Sequence, residues 1–135
     1  MTLAADIARF NKKTEAGIDK TVRAVTFALF REIVRRTPVG DINGGRLKGA
    51  WQTTQRAPAT AAIERFDKSG AKSTAEVAAN MGGWGSVTYF TNLMPYAHRI
   101  EFDGWSSVKS PQGMVRVSFA RIQRLVAQEA RKNKV

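Results

Sequence analysis

The apolar residues Ile18, Val22, Val25, Leu29 and Ile33 recur at spacings of 4, 3, 4 and 4, which places them on one narrow stripe of a helix. Between residues 3 and 37 there is no proline and a single glycine, Gly17. Pro38 ends the run, because proline lacks an amide donor and disfavours helix in the residue before it. The pattern predicts a helix over 4–37. The same turn angles put Phe27 opposite the stripe, with Phe30 and Val34 between the two faces and Lys13, Lys20 and Arg31 near Phe27. A helix with apolar residues on both faces is expected to be covered on both, which marks Phe27 and Arg31 as a candidate subunit or partner interface.

Beyond a turn-rich loop at 40–45, residues 47–57 read as a strand containing Trp51, and 61–66 as a second short strand able to pair with it. Residues 67–70 break the chain, and the alanine-rich segment 72–81 predicts a short helix ended by Gly82, Gly83 and Gly85. The β-branched and aromatic run 87–91 is a strand, 92–102 is mixed and 103–113 is a loop. Val115, Phe119, Ile122 and Val126 form one helical stripe, with Arg121, Arg124, Gln128 and Arg131 opposite. These residues predict an amphipathic helix over 114–131 with a basic outer face. The order implies one α+β domain over 1–135. In it the long N-terminal helix and the basic C-terminal helix pack on a small, mainly antiparallel sheet, and the sheet and short helix occupy 46–103.

At 135 residues, 43% hydrophobic and 24% charged, the chain is globular in composition and long enough to bury an ordinary core. The absence of cysteine excludes disulfides, iron-sulfur clusters and thiol catalysis, and the single histidine, His98, excludes any site needing two imidazoles. Asp6 and Arg9 stand where a secretion signal would need its apolar run. The longest uncharged stretch, residues 77–98, contains Asn80, Gly82, Gly83, Gly85, Asn92 and Pro95, so no membrane helix is expected. A soluble protein made in a reducing cytoplasm is the expectation.

The net charge of +11 changes the picture more. It calls for acidic partners, nucleic acid, or burial of basic surface in an assembly. Most of it lies at the two ends: the first 40 residues carry eight basic and four acidic groups, and the last 23 carry six and one. Arg116, Arg121, Arg124, Arg131, Lys132 and Lys134 could contact phosphates with a steep salt dependence. No aromatics interleave with them on the basic face to stack bases. A small basic protein that binds nucleic acid non-specifically is therefore the alternative reading.

Tests for catalytic chemistry return little. Residues 40–47, G-D-I-N-G-G-R-L, have the glycine spacing of a phosphate-binding loop, but Arg46 replaces its lysine and Leu47 its magnesium-binding hydroxyl, and the loop follows a helix. Gly83 and Gly85 lack the third glycine of a dinucleotide turn, and there is no G-x-S-x-G elbow. Glu101 and Asp103, two apart, would share a face in a strand and could hold a metal or act as an acid/base pair in a hydrolase; salt bridges are the simpler account. No enzyme activity and no cofactor are expected.

Three stretches in order resemble the neck or tail-completion proteins of long-tailed bacteriophages, often labelled tail components. The first is Arg36-Thr37-Pro38-Val39 continued at Gly45-Arg46-Leu47-Lys48-Gly49-Ala50-Trp51, similar to the family's T-P-V-D-T-G-R-L followed by glycine and tryptophan. The second, residues 91–102, has Asn92, Pro95, Tyr96 and Glu101 like the family's N-x-x-P-Y-A with a downstream E-Y-G. The third places Pro111, Gly113 and Met114 before the last helix, like A-P-x-G-M-V-R. Two departures stand out: residues 40–44 enlarge the first loop, and Phe102-Asp103-Gly104 replaces tyrosine-glycine. The resemblance spans about residues 10–130.

It implies a non-enzymatic virion protein of the neck, assembled in the host cytoplasm as a homo-oligomeric ring. Its implied partners are itself, a head-closure or connector protein, a tail-terminator protein and the genome DNA passing through the channel, with no membrane. Arg121, Arg124 and Arg131 join Phe27 and Arg31 as the candidate interface.

Overall fold

The computed structural model describes residues 2–40, 44–102 and 113–133. The chain runs α1 (Leu3–Arg36), α2 (Arg46–Gly49), β1 (Trp51–Gln55), α3 (Ala71–Asn80), β2 (Thr88–Asn92), α4 (Ala97–Phe102), α5 (Val115–Phe119) and α6 (Ile122–Lys132). The fold is α+β, with a long N-terminal helix, helices at the C-terminal end and a two-stranded antiparallel sheet. The loop expected at 103–113, with Asp103 and Pro111, falls almost wholly outside the described residues.

Thr2 opens α1 as its N-cap, its hydroxyl accepting from the amide of Ala5 at 3.2 Å. At the other end the Thr37 amide donates to Val34, and the Thr37 hydroxyl donates to the carbonyl of Ile33 at 2.7 Å. Leu29 and Ile33 of the predicted stripe are buried in the core with Val34, Leu47, Trp51, Met94, Ile100 and Met114. Ile18, Val22 and Val25 are half-buried, on the part of α1 along which α6 packs. Two contacts mark that crossing: Arg121 reaches Glu32 at 3.2 Å, and Asn133 reaches Thr21 at 3.4 Å.

The strand expected from residue 47 begins instead at Trp51, after the helical turn α2. Gly45 starts this turn with φ of 95°, a left-handed conformation that costs glycine nothing; a Cβ there would lie 2.7 Å from the backbone nitrogen of Lys68. The turn drives Leu47 into the core.

The second strand expected at 61–66 does not form. β1 pairs with β2 alone, Trp51 opposite Asn92 and Thr53 opposite Phe90. Side chains take the place of a strand at its other edge. The Thr53 amide donates to Glu76 at 2.7 Å, Asn80 donates to the Thr53 carbonyl at 3.2 Å, and Arg65 donates to the Trp51 carbonyl at 2.8 Å. These bonds satisfy backbone groups that an edge strand otherwise leaves open.

The C-terminal helix is likewise not continuous. It breaks at Ala120 and Arg121, so one unbroken helical period does not carry across it. Val115 and Ile122 pack on the core, Ser118 is fully buried, and Phe119 and Val126 of the predicted stripe turn outward, 49% and 44% exposed.

The 82–86 turn is pinned to α1 through Asp19, which accepts from the Trp84 amide at 2.9 Å and from Arg23 at 2.9 Å. The Trp84 amide, and then Arg23, hold the Asp19 carboxyl below its ordinary value of 3.8. A lowered folded-state value means that the pin contributes above the unfolded value and is lost as pH falls through the folded one. The Trp84 amide resonance is therefore expected to titrate with a midpoint below 3.8, and Asp19→Asn to speed exchange of that amide at neutral pH. A midpoint at or above 3.8, or unchanged exchange, would remove the pin.

Candidate functional site

Several of the residues carrying the resemblance, Leu47, Trp51 and Met114 among them, meet in the core. Trp51, 5% exposed, stacks on Phe90 at 4.5 Å between ring centroids, and Phe90 stacks on Phe30 at 4.2 Å, both nearly parallel. The indole N–H donates to the Thr37 hydroxyl at 2.8 Å, so Trp51 ties the end of α1 to the sheet. Pro38 follows at the half-buried exit of the helix. Arg46 points outward to Glu64 at 2.6 Å. Asn92 bridges the first and second stretches, donating to the Leu47 carbonyl at 2.9 Å and accepting from the Met94 amide at 3.1 Å. Pro95 sits in the exposed turn that follows, and Tyr96 packs half-buried against the core.

Glu101 joins the second stretch to the third. It is 6% exposed, and its carboxylate accepts from the backbone amides of Met114, Val115 (2.8 Å) and Arg116 (2.8 Å) at the start of α5. The Arg116 side chain adds a contact at 3.3 Å to the same carboxylate and donates to the Glu101 carbonyl. Gly113 makes this approach possible: its φ is 90°, and a Cβ there would lie 2.6 Å from the Glu101 carbonyl oxygen. A carboxylate with both oxygens taken up by amide donors is a helix-end cap. Glu101 is thereby taken up by backbone amides and by Arg116, and Asp103, considered with it as an acid/base or metal pair, lies outside the described residues. Among the described residues no three His, Cys, Asp or Glu side chains are grouped to hold a metal ion. His98 is exposed, its ring 4.8 Å from that of Phe102.

A second polar cluster gave no warning in the sequence. Arg65, from the segment expected to be a strand, also donates to the Gly49 carbonyl at 2.8 Å and pairs with Glu76 at 3.0 Å. Buried Asp67 accepts from the amides of Gly70 at 3.1 Å and Ser73 at 2.9 Å at the start of α3. Lys48 lies beside it, 8% exposed; burial pushes its ammonium below the ordinary value of 10.5, and the Asp67 charge offsets part of that shift. The spacing of Arg65, Asp67 and Glu76 matches no periodic pattern: Arg65 and Glu76 are aimed at backbone groups 14–23 residues away, and Asp67 at amides three and six residues on.

The surface candidates separate. Phe27 is half-buried at the lip of a groove between α1 and α3, so its face is partly covered within the chain, and Arg31 lies 5.6 Å over its ring. Arg121 is engaged with Glu32, whereas Arg124 and Arg131 are exposed on α6. Among the described residues no helix is long and apolar enough to cross a membrane. Comparison with known proteins found no matching family model, no matching curated protein and no matching solved structure.

Proposed function

We propose that the chain is a virion structural protein of a phage neck, acting as a homo-oligomeric ring between the head connector and the tail. The support is the ordered three-part resemblance together with one observation, the Glu101 cap. The acidic residue most able to do chemistry in these stretches is consumed in fastening the second to the third. Trp51–Thr37 and Asn92–Leu47 fasten the first stretch in the same way. Residues spent on packing and backbone satisfaction suit a building block whose task is binding. Particles made without this chain are expected to accumulate as separate heads and tails, with activity restored when it is added back. Normal joining in its absence would overturn the reading.

The net charge of +11 favours nucleic-acid binding as the second reading. In a neck, exposed Arg124 and Arg131 meet neighbouring subunits or partner proteins. Binding to two unrelated duplexes is then expected to be equal and to fade steeply between 50 and 200 mM salt, about the range over which phosphate contacts are lost. Arg124→Gln with Arg131→Gln is expected to impair assembly or head-tail joining. A tight, sequence-dependent complex at physiological salt would promote the second reading over the first.

A further inference from the structure

The N-terminal part of α1 is exposed. Residues 2–16 are exposed throughout, and within them Leu3, Ile7 and Phe10 are 76%, 52% and 69% exposed. They lie at i, i+4 and i+7, the spacing by which an amphipathic helix anchors in an apolar groove. A helical arm of this length, about 20 Å, is marginal in water without a partner. It is held locally by the Thr2 cap and by an exposed Arg9–Asp6 pair at 2.6 Å.

The same chain carries a groove. Phe27 and Val34 of α1 face Ala71, Ala75 and Ala78 of α3 across an open, mainly apolar depression of about 510 Å3, with Arg31 and Arg35 beside it. The small side chains on α3 leave room for another helix to approach closely. Phe10 and Phe27 are on one continuous helix, 17 residues or about 25 Å apart, so an arm cannot enter its own groove without breaking α1. Asp6, one turn from both Leu3 and Phe10, is paired with Arg9, and residues 2–16 carry three basic and two acidic groups, so the match of arm to groove is apolar.

We infer that the arm of one copy docks in the α1–α3 groove of the next, with Leu3, Ile7 and Phe10 as anchors. The inference rests on the ring reading and supplies its subunit contact. Arm and groove are different surfaces, so the contact is heterologous, the kind that closes into rings. One helix face is small beside the roughly 800 Å2 per partner of a standard interface. In a closed ring each subunit gives one arm and receives another, so each is held by two such contacts, although neither contact is itself enlarged.

The absence of cysteine permits a clean test: Ile7→Cys with Ala75→Cys, joined by a short thiol crosslinker, alongside the sedimentation mass of the parent. The expected result is a parent that self-associates and a crosslinked ladder of two or more copies. Each single-cysteine variant should give no ladder. Phe10→Asp should abolish the ladder and weaken association by about 30-fold or more while leaving the melting temperature unchanged, since the residue is 69% exposed in the free chain. A parent that self-associates without the ladder, or is indifferent to Phe10→Asp, overturns the arm contact and leaves the ring standing. Crosslinks confined to single chains also overturn it. A parent that stays monomeric at every concentration, and in the presence of virion components, overturns both.

Discussion

Trp51→Ala unfolds the protein about 3–5 kcal/mol more easily than the parent, which in a domain of this size lowers the melting temperature by roughly 10–20 °C. Three contributions are lost together. The substitution leaves a cavity at a site 5% exposed, removes the outer member of the Phe30–Phe90–Trp51 stack, and strips the Thr37 hydroxyl of the indole N–H it accepts. Trp51→Phe separates these effects. It keeps most of the stacking surface and loses the hydrogen bond, so it should cost about 1 kcal/mol. Thermal melts of both variants check the assignment; a Trp51→Ala protein melting within a degree or two of the parent would show that Trp51 does not join α1 to the sheet.

Glu101→Ala should be the next most damaging change, costing about 3 kcal/mol, because three amides at the start of α5 lose a charged acceptor at once. Glu101→Gln should retain part of that, since its amide oxygen still accepts while its NH2 faces donors. The loss should be local, with amide exchange accelerating first at Met114, Val115 and Arg116 and in α5 before α1. A metal or acid/base role predicts another pattern. In that case Glu101→Gln would leave stability and exchange as they are and remove an activity instead.

Much of the fold was legible from local pattern. α1, α3 and β2 were read to within one or two residues, because each is decided by short-range features: a 3.6-residue stripe closed by Pro38, an alanine-rich run closed by glycines, and a β-branched aromatic run. Trp51 lies in the strand expected to contain it, and its burial follows from where that strand packs against Phe90 and the end of α1. The errors share one cause. Residues 47–50, expected to begin the strand, form a helical turn under the close backbone approach at Gly45, and the β1 edge expected for a strand at 61–66 is met by the side chains of Arg65, Glu76 and Asn80. In the C-terminal segment the helix is interrupted at Ala120 and Arg121, and of the predicted stripe Val115 and Ile122 pack on the core while Phe119 and Val126 lie exposed.

The sequence by itself determined the long helix, the α+β class, the lack of thiol chemistry, the excess of positive charge and the three stretches of resemblance. Those properties are sums over composition or repeats within a few residues, which need no knowledge of what lies across the molecule. Only the tertiary structure decided what the charged residues do. Glu101, for which salt bridges were the simpler account, is a cap for amides 13–15 residues away; Arg65, from the expected second strand, and Asp67, from the expected chain break, hold α2, β1 and α3 together. A buried charge takes its role from whichever donors the fold brings within about 3 Å, and that distance is set by packing, not by spacing along the chain.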